Sequence, residues 1–164
     1  METIDAQEHV IDDVNDPMTQ WVTFHLEEEK YGVPVEQVKE VLRYTEITPV
    51  PGAPDYVLGI INLRGNVVTI LDTRKRFALP DREPDEETRF VILEVADQTV
   101  GILVDSVSEV MRLRQNEIEH APNVGNDESS KYIQGVASRE SNLLILVDLD
   151  KLLSDSEWQE VATL

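Results

Sequence analysis

The sequence predicts a mostly β chain built as two small β-barrels of about five short strands each, related by internal duplication. Three observations carry this expectation. Apolar residues alternate, or cluster in short runs, along most of the 164 residues, which is the period of strands and not of helices. One segment recurs: Tyr31-Gly-Val-Pro-Val-Glu-Gln-Val-Lys-Glu-Val41 aligns with Val100-Gly-Ile-Leu-Val-Asp-Ser-Val-Ser-Glu-Val110, with matches at Gly32/Gly101, Val35/Val104, Val38/Val107, Glu40/Glu109 and Val41/Val110. The features that follow keep the same order. Ile47 and Pro51 answer to Ile118 and Pro122, and Tyr56-Val-Leu-Gly-Ile-Ile61 answers to Tyr132-Ile-Gln-Gly-Val-Ala137. A turn with Asn66 or Asn142 comes next, then an apolar strand, then Asp72 or Asp148 and Lys75 or Lys151.

Taken in order, the expected strands are Gln20–Leu26, Tyr31–Pro34, Val41–Tyr44, Leu58–Leu63, Val67–Leu71, Arg89–Val95, Thr99–Val104, Ser108–Leu113, Ile133–Ser138 and Leu143–Val147. Glu27-Glu28-Glu29-Lys30, Arg64-Gly65-Asn66 and Glu140-Ser141-Asn142 read as hairpin turns between them. Asp72 and Asp148 each follow a strand and can cap a short helical piece. A further helical turn is expected over Val35–Lys39. A final helix is expected over Asp155–Leu164, with Trp158 and Val161 on one side. The Pro- and acid-rich stretch 81–87 divides the chain into barrels of residues 19–80 and 88–153, leaving 154–164 as a C-terminal helix or tail. Two barrels side by side would leave a groove between them for binding.

Composition narrows the function. There is no cysteine, so disulfides, thiolate metal sites and a cysteine nucleophile are excluded, which suits a reducing compartment. The start lacks a basic region followed by an apolar stretch, and no run approaches the roughly 20 apolar residues that span a bilayer. A cytoplasmic protein is the expectation. Thirty-three acids against 14 bases give a net charge of −19, which disfavours nucleic acid and anionic membrane surfaces as partners. Six of the acids fall in residues 1–17, which carry no Lys or Arg, so residues 1–18 read as a disordered acidic tail.

The usual signatures of chemistry are missing. His9, His25 and His120 are isolated, the acidic clusters Asp12-Asp13 and Asp85-Glu86-Glu87 lack a Gly-centred calcium loop, and no phosphate loop or nucleophile elbow occurs. No catalytic residue, metal site or cofactor is expected. Two residues stand out instead. Arg64 lies in a hairpin turn of a very acidic chain, where Gly65 has a turn role and Arg64 has none. Glu40 lies among Val38, Val41 and Leu42, on a surface read as half-buried, where a carboxylate needs a partner. An Arg64–Glu40 pair satisfies both.

These residues resemble the CheW family, scaffolds that couple chemotaxis receptors to the histidine kinase CheA. The resemblance runs from about Thr19 to Leu153. It rests on Gly59-Ile-Ile-Asn-Leu-Arg-Gly65, the following Val-Val-Thr-Ile-Leu-Asp72, the Val100–Val110 segment, and the Leu-Ile-Leu-Val-Asp-Leu-Asp-Lys-Leu-Leu stretch that ends at Leu153. It implies two tandem SH3-like barrels, with exchange of segments between them allowed. It also implies a non-catalytic adaptor that binds the cytoplasmic tip of a methyl-accepting chemoreceptor and the regulatory domain of CheA, recruited from the cytoplasm to membrane-associated arrays without inserting in the membrane. Self-association within arrays is left open.

The resemblance ties Glu40, Arg64, Gly65, Val107, Val110 and Gly135 to receptor binding, and Val38 and Gly59 to kinase binding. The residues themselves leave another role open: Val107 and Val110 as core, and Gly59 and Gly135 as close-packing positions in the barrels. The alternatives are a paralogous coupling protein of a pilus-motility or other chemosensory-like pathway, and, from a different class, a small-ligand-binding β-barrel.

Overall fold

In the computed structural model the described residues are 17–120 and 131–164; the acidic stretch through residue 16, with His9, and Pro122 lie outside them. Eleven strands follow in chain order: β1 Met18–Leu26, β2 Glu29–Pro34, β3 Val38–Arg43, β4 Val57–Leu63, β5 Asn66–Leu71, β6 Arg89–Val95, β7 Gln98–Val104, β8 Ser106–Arg114, β9 Ile118–His120, β10 Ile133–Arg139 and β11 Asn142–Val147. β9 is the one that the alternation did not suggest, being three residues long and mostly exposed. Of the Val35–Lys39 turn, only Val35–Gln37 is helical, and Val38 and Lys39 already belong to β3. β1 begins at Met18, inside the stretch expected as tail.

Hairpin chemistry follows the residues. Arg64 and Gly65 (φ 52° and 87°), Glu140 and Ser141 (52° and 69°), and Ala96 and Asp97 (53° and 61°) all take the left-handed conformation of two-residue hairpin turns. Asp72 accepts from the Lys75 N–H at 3.0 Å and starts the short helix Thr73–Arg76. Asp148 accepts from the Asp150 N–H at 3.2 Å ahead of the 3-10 turn Leu149–Lys151. The C-terminal helix spans Asp155–Ala162, opened by a Ser154/Glu157 capping box, and buries Trp158 and Val161.

The strands form two sheets, with orders β8-β1-β2-β11-β10-β9 and β3-β6-β7-β5-β4. Both close. In the first, the chain passes from β8 at one edge through the turn Gln115–Glu117 into β9 at the other edge. In the second, Thr48 beyond β3 exchanges two backbone hydrogen bonds of 2.9 Å with Ile60 of β4. We call them the six-stranded and the five-stranded barrel.

The linear division at 81–87 does not describe these barrels. Hairpin β1–β2 of the first repeat completes the barrel of the second, and hairpin β6–β7 of the second completes the barrel of the first. The two exchanges are equivalent: β1 lies antiparallel to β8 as β6 does to β3, and β2 parallel to β11 as β7 does to β5. The physical reason lies in the hairpins. On β6, Phe90 and Ile92 fill the five-stranded barrel, while Val91, Leu93 and Val95 turn the other way into a cluster with Val22, Phe24 and Leu26 of β1. A hairpin that is apolar on both faces has to be covered on both. Exchange gives each hairpin a barrel interior on one side and the other hairpin on the other. A chain-order reading sees which segments are neighbours in sequence and not which strand each will pair with.

The space between the barrels is therefore core and not an open groove. A row of rings, Phe24, Tyr31 and Phe77 stacked and Tyr132 tilted against Phe77, crosses it with centroid spacings of 5.8, 5.2 and 5.8 Å. The C-terminal helix lies against the same cluster through Trp158 and Val161. Beside it Arg74, from the helix after β5, is almost wholly buried. It donates to Glu27 in the β1–β2 turn, to the Pro80 carbonyl at 2.6 Å, and to both oxygens of Asp105 at 2.7 and 2.6 Å. Asp105 also accepts from Arg82 at 2.7 Å and from the Glu27 N–H at 2.8 Å. Nothing in the run Arg74-Lys75-Arg76 marked one of its cations as buried. Among the described residues, no helix is long and apolar enough to cross a membrane.

Candidate functional site

Both barrels carry the same irregularity. Opposite β6, Val38 pairs with Leu93 but Glu40 pairs with Ile92; opposite β1, Val107 pairs with Phe24 but Val110 pairs with Val22. Each is a bulge in the strand that receives the exchanged hairpin, and it divides that strand between two surroundings. Val38 and Val107, before the bulge, are half-buried against the core between the barrels. Val41 and Val110, after it, are 40% and 50% exposed. The core alternative therefore fails for Val110 and holds in part for Val107: the bulge breaks the alternation that made the two valines look alike.

The bulge also aims the glutamates. Arg64 donates to both carboxylate oxygens of Glu40, from Nη1 at 3.3 Å and from Nη2 more closely. The pair expected from the sequence forms, with Glu40 half-buried at 31% exposure and the Arg64 side chain 68% exposed. The hydrogen bond from Arg64 holds the Glu40 carboxyl below its ordinary range. Gly65 supplies the turn, its N–H donating to Asn62 Oδ1 at 2.9 Å, and an added Cβ there would meet nothing within 4 Å. In the six-stranded barrel the equivalent Glu109 takes a different partner, Lys30 of the exchanged hairpin. Lys30, with Ser108 behind it, brings the Glu109 carboxyl down to about 2. Both carboxylates move away from neutrality, the wrong way for a general acid.

Gly59 and Gly135 are equivalent in the repeat and in the structure. A Cβ on Gly59 would stand 2.3 Å from the Thr48 carbonyl oxygen, and one on Gly135 would stand 2.7 Å from the Glu119 carbonyl oxygen. These are the places where each barrel closes, Thr48 on β4 and β9 on β10. Their geometry gives both glycines a closure role.

Each barrel has a cleft between its bulged strand and its last hairpin. In the five-stranded barrel, Lys39, Glu40, Leu63, Arg64 and Val67 line it. In the six-stranded barrel, Lys30, Glu109, Val110, Arg112, Arg139 and Leu143 do. Val67 is 65% and its counterpart Leu143 46% exposed. Sequence reasoning noted the Glu40/Glu109 and Val41/Val110 matches yet singled out only Glu40 and Val110; the repeat itself was the signal for the rest. Among the described residues, no group of three His, Asp or Glu side chains converges as a metal site.

The family model described as CheW-like domain matches residues 20–157. The chain belongs to the CheW family. It is 39% identical over 155 residues to the chemotaxis protein CheW of Treponema pallidum, covering 92% of this chain and 91% of that one. To the chemotaxis protein CheW of Bacillus subtilis it is 34% identical, covering 84% and 88%. Protein FrzA of Myxococcus xanthus matches at 28% identity, covering 89% and 92%. The crystal structure of the scaffolding protein TtCheW from Thermoanaerobacter tengcongensis superposes with a TM-score of 0.77 at 33% identity, over 85% of this chain and 94% of that one. The CheW-like chain is thus a two-barrel, SH3-like protein with two like-built clefts that hold the repeat-related Glu40 and Glu109.

Proposed function

We propose that this CheW-family chain is a non-catalytic coupling scaffold for chemotaxis, binding the cytoplasmic tip of a chemoreceptor and the regulatory domain of a CheA-type histidine kinase. The observation that carries the reading is the doubled surface: an ion-paired glutamate, Glu40 or Glu109, sharing a cleft with an exposed apolar hairpin residue, Val67 or Leu143, once on each barrel. Held together by a shared core, the two surfaces keep a fixed relation to each other, which suits a chain that has to hold receptor and kinase in one arrangement. Weak contacts suffice, because many copies in an array raise the effective concentration. The chain would work in the cytoplasm and be recruited to receptor arrays by these contacts alone.

The residue roles divide in this reading. Glu40, Arg64 and Val110 touch receptor. Gly65 shapes the turn that presents Arg64. Val107 and Gly135 on the receptor side, and Val38 and Gly59 on the kinase side, act through the packing and closure beneath those surfaces. The match to Protein FrzA, a relative not named as a chemotaxis protein, favours a second reading as a paralogous coupling protein of another chemosensory-like pathway. Partner identity separates the two.

The pair at the five-stranded cleft provides the test. Arg64→Ala should weaken receptor-fragment binding about tenfold, as loss of an interface arginine does, with an unchanged melting temperature because the side chain is exposed. Binding equal to wild type by titration calorimetry would remove Arg64 from the interface.

A further inference from the structure

We propose that the cleft of the six-stranded barrel is held by the chain's own acidic N-terminal segment, residues 1–16, which a receptor has to displace. The docking needs only this chain; its consequence for the receptor rests on the reading of Val110 as a receptor contact. Position, charge and apolar pattern each select this occupant.

The segment starts beside the cleft. Pro17 lies against the end of β8, its carbonyl accepting from the Gln115 N–H at 3.2 Å, and β1 then runs back along β8 with Met18 opposite Arg114 and Gln20 opposite Arg112. The two residues from Arg114 to Arg112 span about 7 Å of strand. From Pro17 back to Asp13 is a chain that extends over about 14 Å, so the acids nearest the barrel reach Arg112 with length to spare. A segment tethered this closely has a high effective concentration, and weak contacts hold it.

The charges are complementary. The whole chain carries −19, yet three cations line this cleft, Lys30, Arg112 and Arg139, against the two acids Glu109 and Glu140. Lys30 pairs with Glu109, and Arg139 Nη2 donates to Glu117 Oε2 at 2.7 Å. Arg112 is exposed and has no ion pair or hydrogen bond from its side chain among the described residues. Segment 1–16 carries six acids and no Lys or Arg. The five-stranded cleft offers it less: Arg64 is taken by Glu40, and Lys39 lies 4.0 Å from Glu94. The apolar groups match as well. Val110 and Leu143 stand about half exposed in the cleft, and the segment's acids are interleaved with aliphatic residues in Val10-Ile11-Asp12-Asp13-Val14. The Arg112 guanidinium can hold one of these carboxylates through two hydrogen bonds while a neighbouring aliphatic side chain covers Val110 or Leu143.

The chain has no cysteine, so Ala6→Cys takes a single nitroxide label. At low salt the label should broaden the amide signals of Val110, Met111, Arg112 and Leu143 and spare those of Lys39 and Val67 in the other cleft. Arg112→Glu should restore the broadened signals, as should high salt, which screens exposed charges. Lys75→Glu changes the net charge equally from outside the cleft and should leave the broadening in place. In the unlabelled full chain, changing the six acids of the segment to their amides should tighten receptor-fragment binding about fivefold at low salt, the gain expected when the segment covers the cleft in about four-fifths of wild-type molecules. Broadening that is absent from the cleft, or that persists in Arg112→Glu, overturns the inference and leaves the coupling reading intact. So does its loss in Lys75→Glu, which would make the effect one of overall charge. Receptor binding unchanged by the six amides overturns the displacement. A wild-type chain that shows the broadening yet binds no receptor fragment upholds the docking and sinks the coupling reading instead.

Discussion

Replacing Arg74 with methionine should lower the stability of the chain by about 3 kcal/mol, the usual cost of removing one partner from a buried ion pair. Methionine keeps much of the volume, so the effect isolates the charge. What it leaves behind is Asp105, a carboxylate with only 10% of its side chain exposed, which loses both hydrogen bonds from Arg74 and keeps Arg82 and the Glu27 N–H. Glu27 and the Pro80 carbonyl lose their donor as well. These groups come from the turn of one exchanged hairpin, the junction after the other, the helix after β5 and the segment that follows it. The loss should therefore be felt as a loosening of the exchange itself. Urea unfolding followed by circular dichroism would show a lower midpoint at unchanged slope. The double variant with Asp105→Asn should cost less than the sum of the two single changes, because the second removes the charge that the first orphans. A midpoint for Arg74→Met within experimental error of wild type would mean that the network does not hold the hairpins.

Gly59→Ala and Gly135→Ala should each destabilise by about 2 kcal/mol, within the range for forcing atoms into a packed site. The obstacle in both cases is a backbone carbonyl at a barrel closure, which cannot swing aside as a side-chain end could. Gly59 carries the further strain of φ +153°. Gly65→Ala is the contrast. It meets nothing within 4 Å, and Ser141 holds the equivalent turn position at φ 69°, so its cost should be about 1 kcal/mol or less. Thermal melts of the three variants decide between roles. If Gly59→Ala and Gly135→Ala melt as Gly65→Ala does, closure is not what those glycines provide, and direct contact with a partner becomes the better account of them.

Strands proved legible in this sequence because most are short, apolar and bounded by turn residues, and the duplication was legible because both repeats keep their glycines and valines in order. The exchange of hairpins was left open by the resemblance and could not be placed from the residues, because several strands, β6 and β11 among them, are apolar on both faces, and that does not say which barrel will cover them. The core alternative for Val110 looked plausible for a related reason: period-two reasoning assumes an unbroken strand, and one extra residue at the bulge reverses the face of all that follows. The Arg64–Glu40 pair was found by asking which charges had no structural explanation. Lys30–Glu109 escaped the same question because Lys30 sits in a charged turn, where a cation attracts no notice. Arg74 escaped because burial of one arginine in three consecutive cations depends on the fold and leaves no local trace.

The central claim, that one chain holds two partners at once, is tested most directly by co-sedimentation. Receptor cytoplasmic fragments assembled on vesicles would be mixed with a CheA-type kinase, with and without this chain, and kinase activity followed in the pellet. A coupling scaffold predicts that the chain enters the pellet, carries the kinase with it and raises its activity. A chain that pellets with receptor while the kinase stays in solution, or that binds neither at moderate salt, would contradict the account.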